Sequence, residues 1–315
     1  MNPELSIVVP LYNEMEVFEQ LVQRINNVVE NSKHKIEVVL VDDGSTDKTK
    51  SLMLDLGLSN SNYTCVFLSK NFGHQNAVTA GLEIAKGEKA VFVIDGDLQD
   101  PPELLEPFYK KFKKGYDVIY GVRKKRKEIF YKRILYWLFY RFINKISETN
   151  IQKDSGDFAL ISRRVVNQIN TLPEKNRFIR GLRSWVGFKQ YGFEYERDKR
   201  EYGKPKYDFK ALFNLAYSGI YNFSSIPVRL IYKLGISSML LTFIYIIYIV
   251  IPKFIFNNVP AGYTSLFIII SMFSSVQLIS IGVIGEYVIR IHKQNQDRPL
   301  YIVDKIISNK NMKNG

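Results

Sequence analysis

The sequence predicts an α/β domain with a parallel sheet, followed by a hairpin of two membrane-spanning helices. Short apolar runs alternate with helical patterns through the first third of the chain, and polar clusters follow several of these runs. Two long apolar runs without a charged residue lie near the C-terminus. We therefore expect a ligand-binding domain that is anchored to a bilayer.

Hydrophobic periodicity predicts four strands and four helices in the N-terminal part of the chain. The predicted strands are Leu5–Leu11, Ile36–Val41, Tyr63–Leu68 and Ala90–Ile94, and the predicted helices are Met15–Glu30, Asp47–Leu56, Gln75–Ala85 and Pro102–Lys113. Apolar strands separated by helices favour a parallel sheet that is covered on both faces. We expect Ser45 or Thr46 to cap the second helix. Asp100 is expected to cap the fourth, with Glu103 completing a capping box.

Polar clusters follow the first, second and fourth predicted strands. They are Tyr12-Asn13-Glu14, Asp42-Asp43-Gly44 and Asp95-Gly96-Asp97. Ligands of open parallel sheets bind beyond the carboxyl ends of the strands, and adjacent carboxylates repel unless a cation or donors compensate. Asp95 and Asp97 therefore predict a site for a hard divalent cation, which prefers oxygen ligands. Asp42 and Asp43 could accept hydrogen bonds from a ribose or a base, although Asp-Gly is also an ordinary turn sequence.

Other nucleotide-binding patterns are missing from the sequence. Neither a GxGxxG nor a GxxxxGK[ST] loop is present, so no dinucleotide fold or P-loop is indicated. His74 is one of three histidines and follows the polar segment Asn71-Phe72-Gly73. Its role is left open between a catalytic base and a residue that positions structure or substrate.

The two long apolar runs are Leu234–Ile251 and Thr264–Ile284. Each is close to the roughly 20 residues that a helix needs to cross a bilayer, and the short connection makes the two helices antiparallel neighbours. Basic residues flank the outer ends of the pair: Arg229, Lys233, Arg290, His292 and Lys293. The positive-inside bias then places both ends, and the α/β domain, in the cytoplasm.

Two further segments, Phe130–Ile146 and Tyr207–Ile226, combine aromatic and basic residues. They predict amphipathic helices that lie on the membrane surface, with a soluble core helix as the alternative. A basic stretch from Arg197 to Lys206 precedes the second segment and reads either as a phosphate clamp or as a solvated charge run. The formal net charge of +13 favours anionic partners. A lipid surface accounts for this charge, so no nucleic-acid partner is expected.

Five motifs occur in order along the chain. They are Pro10-Leu11-Tyr12-Asn13-Glu14, Asp42-Asp43-Gly44-Ser45, Asn71-Phe72-Gly73-His74, Asp95-Gly96-Asp97-Leu98-Gln99-Asp100-Pro101-Pro102 and Gly156-Asp157-Phe158. Together they resemble the polyisoprenyl-phosphate glycosyltransferases, inverting family 2 glycosyltransferases related to dolichol-phosphate mannose synthase. The likeness is strongest to the bacterial bactoprenol glucosyltransferases. Those also carry two C-terminal membrane helices and an ending similar to Gly285-Glu286-Tyr287, Arg290 and Arg298-Pro299.

The resemblance implies a GT-A, Rossmann-like nucleotide-diphospho-sugar transferase fold and a Mg²⁺ or Mn²⁺ cofactor. It also implies roles for individual residues. Metal ligation falls to Asp95 and Asp97, catalysis to Asp157 and Asp97, donor binding to Pro10, Tyr12, Glu14, Asp42, Asp43, Asp95, Gly96 and Gln99, and acceptor-phosphate binding to Arg200, Lys206 and Tyr207. One departure is Pro205, where the family often has serine, so a hydroxyl is lost from the predicted phosphate loop.

The expected reaction moves a hexose, with UDP-glucose as the first candidate donor, to undecaprenyl phosphate with inversion. UDP-N-acetylglucosamine, UDP-galactose and GDP-mannose stay open as donors. One alternative is a processive polysaccharide synthase, but the chain lacks the Gln-x-x-Arg-Trp motif of that class. Another is a non-catalytic nucleotide-sugar-binding subunit of a glycan assembly complex.

The expected organisation has four parts: a nucleotide-sugar-binding core (1–125), an acceptor region with the interfacial helices (126–227), the membrane hairpin (228–290) and a cytoplasmic tail (291–315). The product would serve modification of a cell-envelope glycan such as lipopolysaccharide or teichoic acid. Expected partners are therefore a downstream flippase and an outer-face glycosyltransferase. Gly282 and Gly285 leave room for a homo-oligomer, because small residues allow close helix packing.

Overall fold

A computed structural model describes residues 2–123, 155–175, 177–196, 262–308 and 311–314, together with 231, 233–237, 240, 241, 243, 244 and 247. The strands are β1 (Leu5–Leu11), β2 (Ile36–Asp42), β3 (Tyr63–Leu68), β4 (Ala90–Val93), β5 (Val118–Arg123), β6 (Ser155–Ser162), β7 (Gln190–Tyr195), β8 (Val303–Ser308) and β9 (Asn311–Asn314). The helices are α1 (Phe18–Asn31), α2 (Thr49–Ser59), α3 (His74–Ile84), α4 (Leu105–Phe112), α5 (Arg163–Thr171), α6 (Ile179–Trp185) and α7 (Tyr263–Asn295). The chain divides into two compact units, of which the first holds the strands and the second holds α7.

The first unit is built on a nine-stranded mixed sheet with the order β7-β5-β6-β4-β1-β2-β3-β8-β9. Its centre, β4-β1-β2-β3, is parallel, so the α/β class predicted from the sequence is confirmed. Every residue of β1 is buried. Ile7 and Val9 pack into the core on one face, whereas Val8 belongs to the core that includes α3 on the other. Cover on both faces explains why these strands read as unbroken apolar runs.

Antiparallel strands flank the parallel centre. β6 runs antiparallel to β4, and β8 runs antiparallel to β3. β8 and β9 were not predicted from the sequence, because residues 291–315 were interpreted as a cytoplasmic tail. β8 is fixed to the sheet by its buried Ile307 and by the backbone N–H of Ser69, which donates to the Ile302 carbonyl at 2.9 Å. Residues that follow α7 in sequence are therefore part of the sheet.

Two expected helix caps are wrong. α2 begins at Thr49, without a side-chain cap, and the Ser45 hydroxyl instead accepts from the backbone N–H of Asn13. The segment after Pro101 begins as a 3₁₀ turn, again without a side-chain cap. Asp100 is buried, and its Oδ1 accepts a hydrogen bond from the Tyr195 hydroxyl rather than from a helix amide. Glu103 forms a two-bond ion pair with Arg24 rather than a capping box.

The second unit contains α7, which covers the second predicted membrane span. Within it, Met272–His292 has a mean hydropathy of 1.5 and is unburied. Among the described residues it is the one helix that is long and apolar enough to cross a bilayer. Half of the first predicted span, and the whole of both predicted interfacial segments, lie outside the described residues, so the hairpin stays a prediction.

Candidate active site

The predicted acidic clusters meet at one edge of the sheet, because β4, β1 and β2 are adjacent and parallel. β6 brings a further carboxylate to that edge. It runs antiparallel to β4 with Ala159 opposite Val93, so Asp157 and Asp95 each lie two residues beyond this pair. α3 also begins at this edge, and its first residue is His74. The fold thus gathers residues that are far apart in sequence.

The last residue of β2 and the loop that follows it, here together called the β2 loop (residues 42–47), are packed against the segment that leads into α3. Asp43 is buried and accepts from the backbone N–H groups of Phe72 at 2.7 Å and Gly73 at 3.0 Å. Burial raises the pKa of Asp43, while these two hydrogen bonds oppose the rise. Gly44 has a φ of 70°, and a Cβ there would lie 2.5 Å from the carbonyl carbon of Lys70. Asp43 and Gly44 therefore fix the approach to α3.

Asp42, the other acidic residue of the β2 loop, is also fully buried. Its Oδ1 accepts from the backbone N–H of Ser45 at 3.0 Å, whereas its buried Oδ2 has no hydrogen-bond partner among the described residues. Burial raises the pKa of Asp42 against the Ser45 hydrogen bonds. A buried acceptor without a hydrogen bond destabilises the fold by about 1–3 kcal/mol, so a hydrogen bond from a ligand donor to Asp42 Oδ2 would be favourable.

The loop after β1 is tied to the β2 loop. Asn13 has a φ of 53°, and its side-chain oxygen accepts from the backbone N–H of Thr46 at 2.8 Å. This bond holds Tyr12 and Glu14, both half-buried, beside the β2 loop. Pro10 is buried within β1. The three residues expected from the resemblance to bind the donor therefore lie at or next to this strand end.

The β4 loop (residues 95–100) packs closely on the end of β1. A Cβ on Gly96 would lie 2.4 Å from Leu11 Cδ2 and 3.1 Å from the Pro10 carbonyl oxygen, so a larger residue would force the Leu11 side chain to move. Asp97 Oδ1 accepts from the backbone N–H of Gln99 at 3.2 Å, which closes a local turn. Asp95 and Asp97 thus leave the sheet edge on a tightly seated loop.

Asp95 lies in a strongly acidic setting. Burial, together with the nearby charges of Asp100, Asp157 and Asp97, raises its pKa to about 6, and the charge of His74 opposes this rise. Such a crowd of carboxylates suits a divalent cation, whose usual ligands are carboxylate and phosphate oxygens. Within the described residues, no group of three or more acidic, histidine or cysteine side chains forms a ready-made metal cage. A cation here would therefore complete its shell with ligand oxygens or water.

His74 lies between two of these carboxylates. Its Nε2 is 3.4 Å from Asp157 Oδ2 and 3.5 Å from Asp95 Oδ1. Partial desolvation by the surrounding protein favours the neutral ring, but the Asp157 hydrogen bond and the two carboxylate charges outweigh it and raise the pKa of His74 to about 9. His74 is therefore cationic at neutral pH, which makes it a poor general base.

Asp157 is held from several sides, and its side chain is only 3% exposed. Arg180 donates to both of its oxygens, from Nε to Oδ1 at 2.9 Å and from Nη2 to Oδ2 at 3.2 Å. Gln75 Nε2 also donates to Oδ2 at 2.9 Å. Burial alone would raise the pKa of Asp157, but the charge of Arg180 and the His74 hydrogen bond hold it well below its usual range. The carboxylate is consequently ionised and fixed in one orientation.

The sequence model of Glycosyl transferase family 2 matches residues 6–169, which include β1 to β6 and the acidic edge. The protein called "Uncharacterized glycosyltransferase YkcC" from Bacillus subtilis (strain 168) is 42% identical over 303 residues, 96% of this chain and 94% of that protein. The chain belongs to glycosyl transferase family 2.

Other relatives of this family 2 transferase carry more specific names. The SfII prophage-derived bactoprenol glucosyl transferase of Shigella flexneri is 38% identical over 96% of this chain and 98% of that protein. The resemblance stated from the motifs is thereby confirmed. Among solved structures, mannosyltransferase PcManGT from Pyrobaculum calidifontis, in complex with GDP-Man and Mn²⁺, is 20% identical, with a TM-score of 0.45 over 69% of this chain and 61% of that one. That overlap assigns neither donor nor metal to this transferase.

Some functional candidates of this family 2 transferase lie outside the described residues, and other residues of the site were not predicted. Arg200, Lys206 and Tyr207 lie outside the described residues, so their assignment to the acceptor stays a prediction. Gln75 and Arg180 were not predicted from the sequence. Gln75 directly follows the Asn71–His74 motif, which was the available signal, whereas nothing in the sequence pairs Arg180 with a carboxylate 23 residues earlier.

Proposed function

We propose that the protein transfers a hexose from a nucleotide-sugar to a polyisoprenyl phosphate, with inversion. UDP-glucose and undecaprenyl phosphate are the first candidate substrates. The observation that carries the proposal is the single sheet edge that holds a buried unpaired acceptor on Asp42, the Asp95–Asp97 pair and the Asp157–His74 pair. The lipid acceptor is supported by the relatives that are named bactoprenol glucosyl transferases.

The two acidic loops would bind the donor. The Asp42 Oδ2 atom would accept from a ribose hydroxyl or a base N–H, which relieves its burial. Tyr12 and Glu14, held beside the β2 loop, complete this nucleoside side of the proposed site. The diphosphate would then lie toward the β4 loop.

Asp95 and Asp97 would hold a Mg²⁺ or Mn²⁺ ion together with the donor diphosphate. The acidic crowd around Asp95, which raises its pKa to about 6, fits a cation at this position. Such an ion supplies Lewis-acid stabilisation of the departing nucleoside diphosphate. The protein contributes the seating of the β4 loop on β1, which keeps both carboxylates directed from one rigid edge.

The acceptor needs little help from a base. A phosphate monoester has a second pKa near 6, so it is mostly dianionic at neutral pH and is already a nucleophile. Asp157, ionised and bound by Arg180, is suited to orienting groups and balancing charge. The cationic His74 reduces the repulsion that two substrate phosphates would meet beside the acidic loops.

The membrane part of the proposal rests on sequence. The apolar helix α7 and the predicted first span would anchor a cytoplasmic catalytic domain as a multi-pass protein of the plasma membrane. The basic residues Arg200 and Lys206, with Tyr207, would bind the acceptor phosphate at headgroup depth. Charge-assisted hydrogen bonds of this kind contribute about 1.5–3 kcal/mol each.

The test is a donor and acceptor screen with the purified full-length protein in lipid nanodiscs. Undecaprenyl phosphate is offered with UDP-glucose, UDP-N-acetylglucosamine, UDP-galactose or GDP-mannose, and the lipid product is identified by mass spectrometry. We expect one hexosyl lipid phosphate to form, and we expect EDTA to stop its formation until Mg²⁺ or Mn²⁺ is restored.

Two results would contradict the proposal. If sugar accumulated in a growing polysaccharide instead of on the lipid, the chain would be a polymer synthase. If turnover persisted in EDTA, the metal assignment would be wrong. Steady-state kinetics of Arg200→Ala and Lys206→Ala add a second check, because their KM should rise for lipid phosphate and not for the donor.

A further inference from the structure

Arg180 is the first guanidinium on α6 and lies at the active edge with its side chain 27% exposed. It grips both oxygens of Asp157, at 2.9 and 3.2 Å. A two-bond guanidinium–carboxylate pair fixes direction as well as distance, because both groups are planar. Arg180 therefore determines the orientation of Asp157 from a separate helix.

Gln75 is a second link between the same elements. Its Nε2 donates to Asp157 Oδ2 at 2.9 Å, and its Oε1 accepts from the backbone N–H of Ile179 at 2.8 Å. One amide thus joins the start of α6, the first turn of α3 and the Asp157 carboxylate. His74, which precedes Gln75, is held by the same arrangement against Asp157 and Asp95.

We infer that Arg180 and Gln75 are positioning residues for sugar transfer, which hold Asp157 and, through it, the His74 ring in the orientation that the transfer step requires. The inference rests on the proposed function. Both side chains donate to Asp157 near the start of β6, whereas the nucleoside is proposed to bind at the β2 loop. Their loss should therefore slow the transfer step and leave donor binding unchanged.

The same fold offers a matched control. Arg164 also grips a buried carboxylate with two bonds, from Nε and Nη2 to the oxygens of Asp117, each at 2.5 Å. This pair lies at the opposite edge of the sheet, since Asp117 directly precedes β5 and Arg164 follows the end of β6. Arg164→Ala removes the same type of ion pair from the same sheet without touching the active edge.

The experiment compares Arg180→Ala, Arg180→Lys and Arg164→Ala in the lipid-phosphate assay. We expect Arg180→Ala to lower kcat by about 10–100-fold, the range for losing a group that orients a catalytic or metal-binding residue, with donor KM unchanged. Millimolar guanidinium chloride should restore part of that kcat, because the deleted side chain is reachable from solvent. Methylammonium chloride at the same ionic strength should not. The kcat of Arg180→Lys should lie between those of wild type and Arg180→Ala. The kcat of Arg164→Ala should equal that of wild type and should not change when guanidinium is added.

An activity-independent measurement separates this inference from the proposed function. The chain has three histidines, so histidine-selective NMR can follow the His74 ring whether or not sugar is transferred. We expect Arg180→Ala and Gln75→Ala to shift the His74 resonances, and Arg164→Ala to leave them in place. Unchanged His74 resonances, an unchanged kcat in Arg180→Ala, or a loss of kcat that guanidinium cannot restore would overturn the inference. If the wild-type protein transferred no hexose, but the His74 resonances still shifted in Arg180→Ala and Gln75→Ala, the proposed function would be wrong and the positioning inference would stand.

Discussion

The β2 loop and the β4 loop leave the two strands that flank β1, and both carry paired acidic residues, yet they hold their carboxylates by different means. In the β2 loop, backbone N–H groups donate to Asp42 and to both oxygens of Asp43. In the β4 loop, Asp95 lies among other carboxylates and beside the cationic His74. Hydrogen bonds from backbone donors hold a carboxylate in a fixed place, whereas neighbouring carboxylates repel each other unless a cation lies between them. We therefore expect substitution of Asp43 to affect stability first, and substitution in the β4 loop to affect ligand binding first.

The largest expected effect comes from the β4 loop. Asp97→Asn should lower transfer by about 100-fold or more, because it weakens the proposed metal ligation. The melting temperature should stay unchanged, since the side-chain oxygen of the introduced asparagine can still accept the Gln99 N–H bond. Steady-state kinetics and thermal unfolding of the same preparation measure both quantities. Normal turnover in this variant would contradict the role of the β4 loop in metal binding, and with it the proposed difference between the two loops.

Asp43→Asn should show the reverse pattern, in which the melting temperature falls more clearly than the transfer rate. An amide keeps one acceptor oxygen where the carboxylate has two, so either the Phe72 or the Gly73 N–H loses its bond. The cost should be about 1.5–3 kcal/mol for a bond to a charged group. At about 2–4 °C per kcal/mol, the melting temperature should fall by roughly 3–12 °C.

The control for this change is Asp55→Asn, which removes the same charge from an exposed position on α2. It should leave the melting temperature in place, because surface substitutions of this kind are usually within about 0.5 kcal/mol. Equal melting temperatures for Asp43→Asn and wild type would show that the backbone donors do not stabilise the β2 loop.

The smallest effect concerns pH. The pKa of His74 is raised from 6.5 to about 9, so its ion pairs contribute stability that is complete below about pH 6.5 and is lost as the pH rises through about 9. The contribution should stay below about 1 kcal/mol, because the side chain is 42% exposed and water screens it. Melting temperatures of metal-free wild type and His74→Gln should therefore converge between pH 6 and pH 10. A difference in melting temperature that persists at pH 10 would mean that His74 stabilises the fold by packing contacts rather than by its ion pairs.

The sequence predicted the parts of this structure that depend on local patterns. β1 and β3 have the predicted bounds. A strand that is covered on both faces is apolar along its whole length, so the ends of the apolar run mark the ends of the strand. The meeting of three acidic strand ends also followed from the pattern, since parallel strands end at one edge. Asp100 was misjudged because a capping sequence cannot reveal a competing partner such as Tyr195, which arrives from β7.

Long-range pairings could not be read from the sequence. That Asp157 would lie beside Asp95 depends on β6 inserting antiparallel next to β4, and apolar runs do not specify order or direction. Arg180 reaches Asp157 only because α6 packs over the same edge. β8 was missed because its residues, Val303–Ser308, do not alternate between apolar and polar, and a short segment after a long apolar helix gave no sign of a distant partner.

The late position of β8 has a consequence for how the protein is made. β3 emerges from the ribosome early, but its outer neighbour follows α7, and the hydroxyls of Thr64 and Ser308 that bond across them are 244 positions apart. Until synthesis passes α7, β3 is an open edge with unpaired backbone groups, which is a template for pairing with other chains. The apolar helix is therefore available for insertion before the sheet can close, and release of a chain shortened within β8 would leave an aggregation-prone edge.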